Sequence, residues 1–204
     1  MMRVALTIAV LCASATPLAA QNTTAQAVDR FSQAVIAARE NDFVNAFNIF
    51  ETLALAGDSE AAYNLALLYK RGWGRPENFR SALYWAWLSS LGGVAEAVAL
   101  ADGLAGLVPA DVRNEEADRL STELENRIEA GDRTAIIQYA RVQSDILGEP
   151  NLQKAYVWYS IAAAIGLSEG RHAMIKISAS LSSAELVEVQ GMAADVFAES
   201  PFVN

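Results

Sequence analysis

Cysteine and histidine each occur once in this chain, as Cys12 and His172. A lone histidine cannot make the paired-imidazole motif of a helical zinc hydrolase, and its neighbours Arg171 and Ala173 offer no ligand spacing. The nucleophile elbow G-x-S-x-G and the phosphate-cradling loop G-x-x-x-x-G-K-S/T are also missing. Gly72-Trp73-Gly74 follows a helical stretch and not a strand, so it does not qualify as a phosphate loop. Basic residues are scarce as well: 15 Lys and Arg stand against 24 Asp and Glu, a net charge of −9. Such a surface repels phosphate backbones and anionic headgroups, which argues against nucleic acid and peripheral membranes as partners. Glu115, Glu116 and Asp118 sit together, but on the polar face of an amphipathic stretch, where solvation is the default. These absences speak against an enzyme, and no cofactor or metal is expected.

Long apolar runs are confined to the beginning. Arg3 precedes a mostly apolar stretch from Val4 to Ala15, Thr16-Pro17 breaks it, and Ala19-Ala20 lead into polar Gln21-Asn22-Thr23-Thr24. That order matches a secretory signal peptide over residues 1–20 and is too short for a membrane span. Lipoprotein processing at Cys12 is the rival reading, opposed by Leu11 at the position where a small side chain is needed. Cleavage after Ala20 removes the only cysteine, so residues 21–204 fold as one domain without a disulfide or thiolate. A periplasmic or secreted location follows.

What is present is repetition. Gly57, Asp58, Ala66, Gly74 and Pro76 recur as Gly131, Asp132, Ala140, Gly148 and Pro150. Ala82, Trp85 and Gly93 recur as Ala155, Trp158 and Gly166, with one residue lost between Pro76 and Phe79. Echoes of this length mark stacked helical hairpins. Period-two alternation is absent, and Ala and Leu recur at helical spacing throughout. Punctuation predicts about ten helices: 26–39, 43–56, 59–71, 79–91, 94–105, 110–130, 134–146, 152–164, 168–178 and 184–198. The stretch 110–130 predicts Glu115/Arg119 and Glu123/Arg127 pairs on its outer face. Phe79–Leu91 is apolar nearly all round and should be sandwiched. Ser182 and Glu185 predict a capping box. Residues 21–24 and 200–204 are expected to fray.

The Gly57–Gly93 copy resembles a Sel1-like repeat, a relative of the tetratricopeptide repeat. The resemblance rests on Gly57, Ala61, Tyr63, Leu65, Tyr69, Gly72, Gly74, Pro76, Phe79, Ala82, Trp85 and Gly93, with Ala66 in place of a glycine and Ser89-Ser90 in place of Ala-Ala. The copy from Gly131 to Gly166 keeps Ala135, Ala140, Gly148, Pro150, Ala155, Trp158 and Ala162-Ala163 but lacks the tyrosines and the first loop glycine. Residues 26–56 look like a capping hairpin. The segment Leu181–Ala193 is similar to the closing segment of exported bacterial Sel1 proteins, and 168–198 are read as caps. The resemblance implies an all-α, right-handed α-solenoid of stacked hairpins that binds proteins. Similar exported proteins of Gram-negative bacteria act in envelope signalling, some by restraining sensor kinases, and others bind host proteins. A cysteine-rich subgroup is linked to penicillin binding, which does not carry over to a chain without those disulfides.

In stacked hairpins the first helix of each pair lines a concave face. The positions not claimed by the core there are Glu60, Asn64, Leu67, Lys70 and Arg71, with Gln138 and Arg141 at aligned places in the second copy. Trp73 is not demanded by the repeat and sits in a loop beside Arg75, either as an exposed anchor or folded onto its own hairpin. The expected function is a monomeric adaptor or regulator that takes a protein or peptide in this groove. A structural subunit whose groove is filled by its own oligomer is the alternative, and a cell-wall hydrolase or penicillin-binding enzyme a more distant one.

Overall fold

Short polar side chains start most of the helices. In the computed structural model, which describes residues 18–202, with side chains from residue 26 on, ten α-helices are seen among the described residues. They are α1 (Leu18–Arg39), α2 (Phe43–Leu55), α3 (Ser59–Arg71), α4 (Phe79–Leu91), α5 (Ala95–Ala105), α6 (Ala110–Glu129), α7 (Arg133–Arg141), α8 (Leu152–Ala164), α9 (Ser168–Ser178) and α10 (Ser183–Glu199). Asp58 accepts from the Ala61 amide at 2.9 Å, Asn78 from Ser81 at 3.0 Å and Asn151 from Lys154 at 2.9 Å. Each bond satisfies an amide that the first turn leaves without an intrahelical partner. Ser182 and Glu185 form the expected capping box at α10.

The glycines that define the repeat end the second helix of each pair. At Gly57 φ is +93°, its amide reaches Ala54 O at 3.0 Å and the Asp58 amide reaches Leu53 O at 3.0 Å. These two bonds are a Schellman closure, and its left-handed residue is sterically cheap only for glycine. The same pair of bonds recurs at Gly93, Gly131 and Gly166. The repeat spacing in the sequence is therefore the spacing of these helix ends.

Consecutive helices pack against one another from α1 to α5 and again from α6 to α9, α6 also reaches back to α4, and α10 packs on α8. Ala61, Ala66, Ala82, Ala135, Ala140 and Ala155 have no exposed surface, so the helix backbones approach closely where the repeat places alanine. Helix α4 lies between its neighbours, with Leu83 wholly buried and Trp85 and Trp87 less than a tenth exposed. Burying a side chain of that size contributes about 2 kcal/mol. Trp158 meets Tyr139 edge to face, centroids 5.4 Å apart. One core runs from Ala34 on α1 to Ala193 on α10.

Several local expectations are corrected. Helix α1 starts at Leu18, so residues 21–24 are helical, not frayed; the rest of the proposed leader, including Cys12, lies outside the described residues. Pro201 and Phe202 form a turn, and Phe202 packs half-buried against the core instead of fraying; residues 203–204 are not described. The helix expected over 134–146 gives way after Arg141 to a π turn, Val142–Ile146. The outer-face pairs of α6 do not form. Glu115 reaches Arg80 of α4 at 3.2 Å, Glu123 accepts from the Tyr84 hydroxyl, and Arg127 turns to Asp132 at 2.7 Å. Glu116 is not solvated: only 1% of it is exposed, and Arg80 at 2.5 Å and Arg119 at 3.2 Å neutralise it. The reason is that α6 lays this face against α4, which intrahelical spacing alone does not reveal.

Candidate functional site

Between α1 and α3, the first helices of two successive hairpins, lies a cavity of about 210 Å³. Val35 and Ala38 of α1, Leu67 and Leu68 of α3 and Phe50 of α2 supply its apolar lining. Asn64, Arg39 and Arg71 are its polar groups, and Trp73 closes one side. The two arginines stand in the last turns of their helices. Neither has an ion-pair partner among the described residues.

Trp73 is held there by its loop. The Gly72 cap is left-handed at φ +67°, and the Trp73 amide then returns to Leu68 O at 3.0 Å. The indole stacks on Phe43 of α2 with centroids 4.4 Å apart and planes inclined by 20°, while the Arg71 guanidinium lies 4.6 Å above the ring. Trp73 as a residue is 38% exposed. Trp73 thus lies between Phe43 of the preceding hairpin and Arg71 of its own, and still faces the groove. Its cationic neighbour is Arg71, not Arg75: Arg75 bonds to Asn48 Oδ1 at 2.9 Å and lies 4.8 Å above Phe47. Gly74 makes this approach possible. A Cβ at that position would collide with the Phe43 carbonyl oxygen and Phe47 Cβ.

Asn64, Leu67, Arg71 and Trp73 are therefore brought together around one cavity. Glu60 and Lys70 flank them on α3 without lining the cavity; the Glu60 carbonyl accepts from Asn64 Nδ2 at 2.8 Å. Gln138 and Arg141 lie elsewhere. Arg141 donates to the Ser90 and Leu91 carbonyls at 3.2 and 3.4 Å, fastening the end of α4. Sequence reasoning missed Val35, Ala38 and Arg39 because α1 was read only as a cap. Their spacing along α1 places them on one helical face, and that was the available signal.

Gln138 lines a second cleft, about 320 Å³, between the start of α3, α4, α6 and α7. Its charges compensate one another. Arg119 lies 4.2 Å above the Tyr84 ring, Tyr84 donates to Glu123, and Arg127 is paired with Asp132. Burial, then the bond and charge of Glu123, push the Tyr84 hydroxyl far above the ordinary tyrosine value. Gln138 Oε1 is buried without a hydrogen-bond partner. His172 is exposed, its Nδ1 3.2 Å from Ser168 O. Among the described residues, no three His, Cys, Asp or Glu side chains converge as a metal site requires, and no helix is long and apolar enough to cross a membrane.

The hairpins make this chain an α-solenoid, a helical-repeat protein. No family model and no curated protein matches it. Among solved structures it is similar to a protective antigen present in uropathogenic Escherichia coli strains and displaying a Sel1-like repeat fold. The identity is 18%, the TM-score 0.35, and the match covers 85% of this chain and 45% of that one. This chain thus spans less than half of that protein's length.

Proposed function

We propose that the chain is a protein-binding adaptor or regulator of the Gram-negative periplasm, exported by residues 1–20 and folded as one domain over 21–204. It holds a protein or peptide in the groove between α1 and α3 and works in envelope signalling. The observation that carries this reading is the groove itself, an apolar channel between the first helices of adjacent hairpins with a half-exposed tryptophan on its rim. Exposed aromatic and arginine side chains beside an apolar pocket are the usual anchors of protein interfaces. The contact residues are Glu60, Asn64, Leu67, Lys70, Arg71 and Trp73; Gln138 and Arg141, at the aligned places of the second copy, lie outside this groove.

Crosslinked capture from native cells tests this reading. Wild-type protein retains a partner, and Trp73→Ala and Lys70→Glu lose it while far-ultraviolet circular dichroism is unchanged. Recovery of the same partner by both variants removes these residues from the site. Fractionation should place the shortened chain in the periplasm, and its mass in solution should be that of a monomer. A stable oligomer would favour the structural-subunit reading instead.

A further inference from the structure

We propose that the occupant of the α1/α3 groove is an acidic segment of another protein, in which an aspartate or glutamate follows closely on a large apolar side chain. This rests on the peptide-binding reading above and goes further by naming the chemistry. The chain as a whole is acidic, yet the groove lining holds two arginines and no carboxylate. The arginines of the second cleft differ: Arg127 is paired with the carboxylate of Asp132, and Arg119 reaches that of Glu116. Arg39 and Arg71 have none within ion-pair distance among the described residues.

Both arginines stand at helix C-termini, where a cation offsets the helix dipole. That offset is about half a charge per helix end, against a whole charge on each guanidinium, so each arginine keeps positive charge to offer at the groove. Lys70, beside Arg71 on the same last turn, adds to it. Glu60, on the first turn of α3, is about 16 Å away along the helix axis and does not cancel them. The apolar lining from Val35, Phe50, Leu67 and Leu68 demands a large apolar side chain next to the carboxylate. Arg71 is already positioned by the Trp73 ring, so binding orders little that is not ordered.

A random dodecapeptide display library, selected on residues 21–204 and counter-selected on the Arg39→Glu/Arg71→Glu double variant, tests the proposal. Recovered sequences should pair Asp or Glu with Leu, Ile, Phe or Met. An end-capped synthetic copy should bind the wild type, and each single substitution, Arg39→Ala or Arg71→Ala, should weaken it about tenfold. Raising salt well above 0.1 M, where the screening length is about 10 Å, should narrow the difference. Neutral or basic recovered peptides that still need Leu67 and Trp73 would overturn the acidic chemistry and leave the groove as a peptide site. An absence of enrichment on folded protein would overturn both readings. An oligomer that blocks selection and dissociates on Leu67→Glu substitution would assign the groove to a second copy of this chain.

Discussion

The two copies of the repeat share their scaffold and differ in their surface. At matching places Asn64 becomes Gln138, Leu67 becomes Arg141, Arg71 becomes Asp145 and Trp73 becomes Leu147. In the first copy these positions open a groove with unneutralised cations. In the second, Arg141 is tied to the end of α4, and the charge at the final turn is reversed. The loops diverge for a related reason. Where the first copy has the left-handed Gly72, the second has Ile146, a β-branched residue for which that conformation is strained. The chain instead widens into the π turn, and the Leu147 amide bonds back to Val142 O at 3.1 Å. The first loop stacks its tryptophan on Phe43 of the preceding hairpin, and the second has leucine at that place. Repeat identity here sets the architecture, and departures from it set the character of the surface.

The sharpest way to break this comparison is at the loop glycines. Gly74→Val forces a side chain into the Phe43 carbonyl at a φ of +78° and should cost about 3 kcal/mol in urea unfolding. Gly148→Ala meets only the Asn114 side-chain amide and should cost under about 1 kcal/mol. Equal losses would mean that the two loops are equivalent after all. Next in size is the internal ion network. Arg80→Ala leaves buried Glu116 with Arg119 alone and should lower the urea midpoint, by less than an unpaired buried charge would. Trp73→Ala removes the stack on Phe43 and should cost about 1 kcal/mol in thermal unfolding, small beside its effect on binding.

The smallest effect concerns acid. Burial alone would raise Glu125 and Asp132, but bonds from Tyr139 and Lys154 to the first, and from Thr134 and Arg127 to the second, hold both below the usual carboxylate range. A folded-state pKa below the unfolded one gives stability that is present above the ordinary values near 4 and lost as pH falls through the depressed ones. Amide exchange should therefore rise first in α7 and α8 as pH drops below about 4, before α3 responds. Lys154→Met should remove part of that difference. Earlier loss of α3 would contradict the assignment.

Much of the architecture was legible because its signals are local. Capping side chains, the glycine at each Schellman closure and the alanines at close approaches all act within a turn or two of their own positions. The partners of α6 were not legible: Glu116 looks solvated until α4 is laid against it, since Arg80 lies far from it in sequence. The groove was half legible. Asn64, Leu67 and Arg71 follow from the repeat and Trp73 from its place in the loop, whereas Arg39 comes into view only because α1 packs as the first helix of the neighbouring pair. The π turn was hidden because Val142–Ile146 continues the helical pattern of α7, and only the missing glycine hints at a different exit.

The most direct test places a photoreactive phenylalanine analogue at Leu67 in one protein and at Arg141 in another, both expressed in the native cell. If the first-copy groove is where partners are held, irradiation yields an adduct from position 67 that Arg71→Glu abolishes, and none from position 141. Adducts from position 141 alone, or from both positions regardless of Arg71, would contradict that claim.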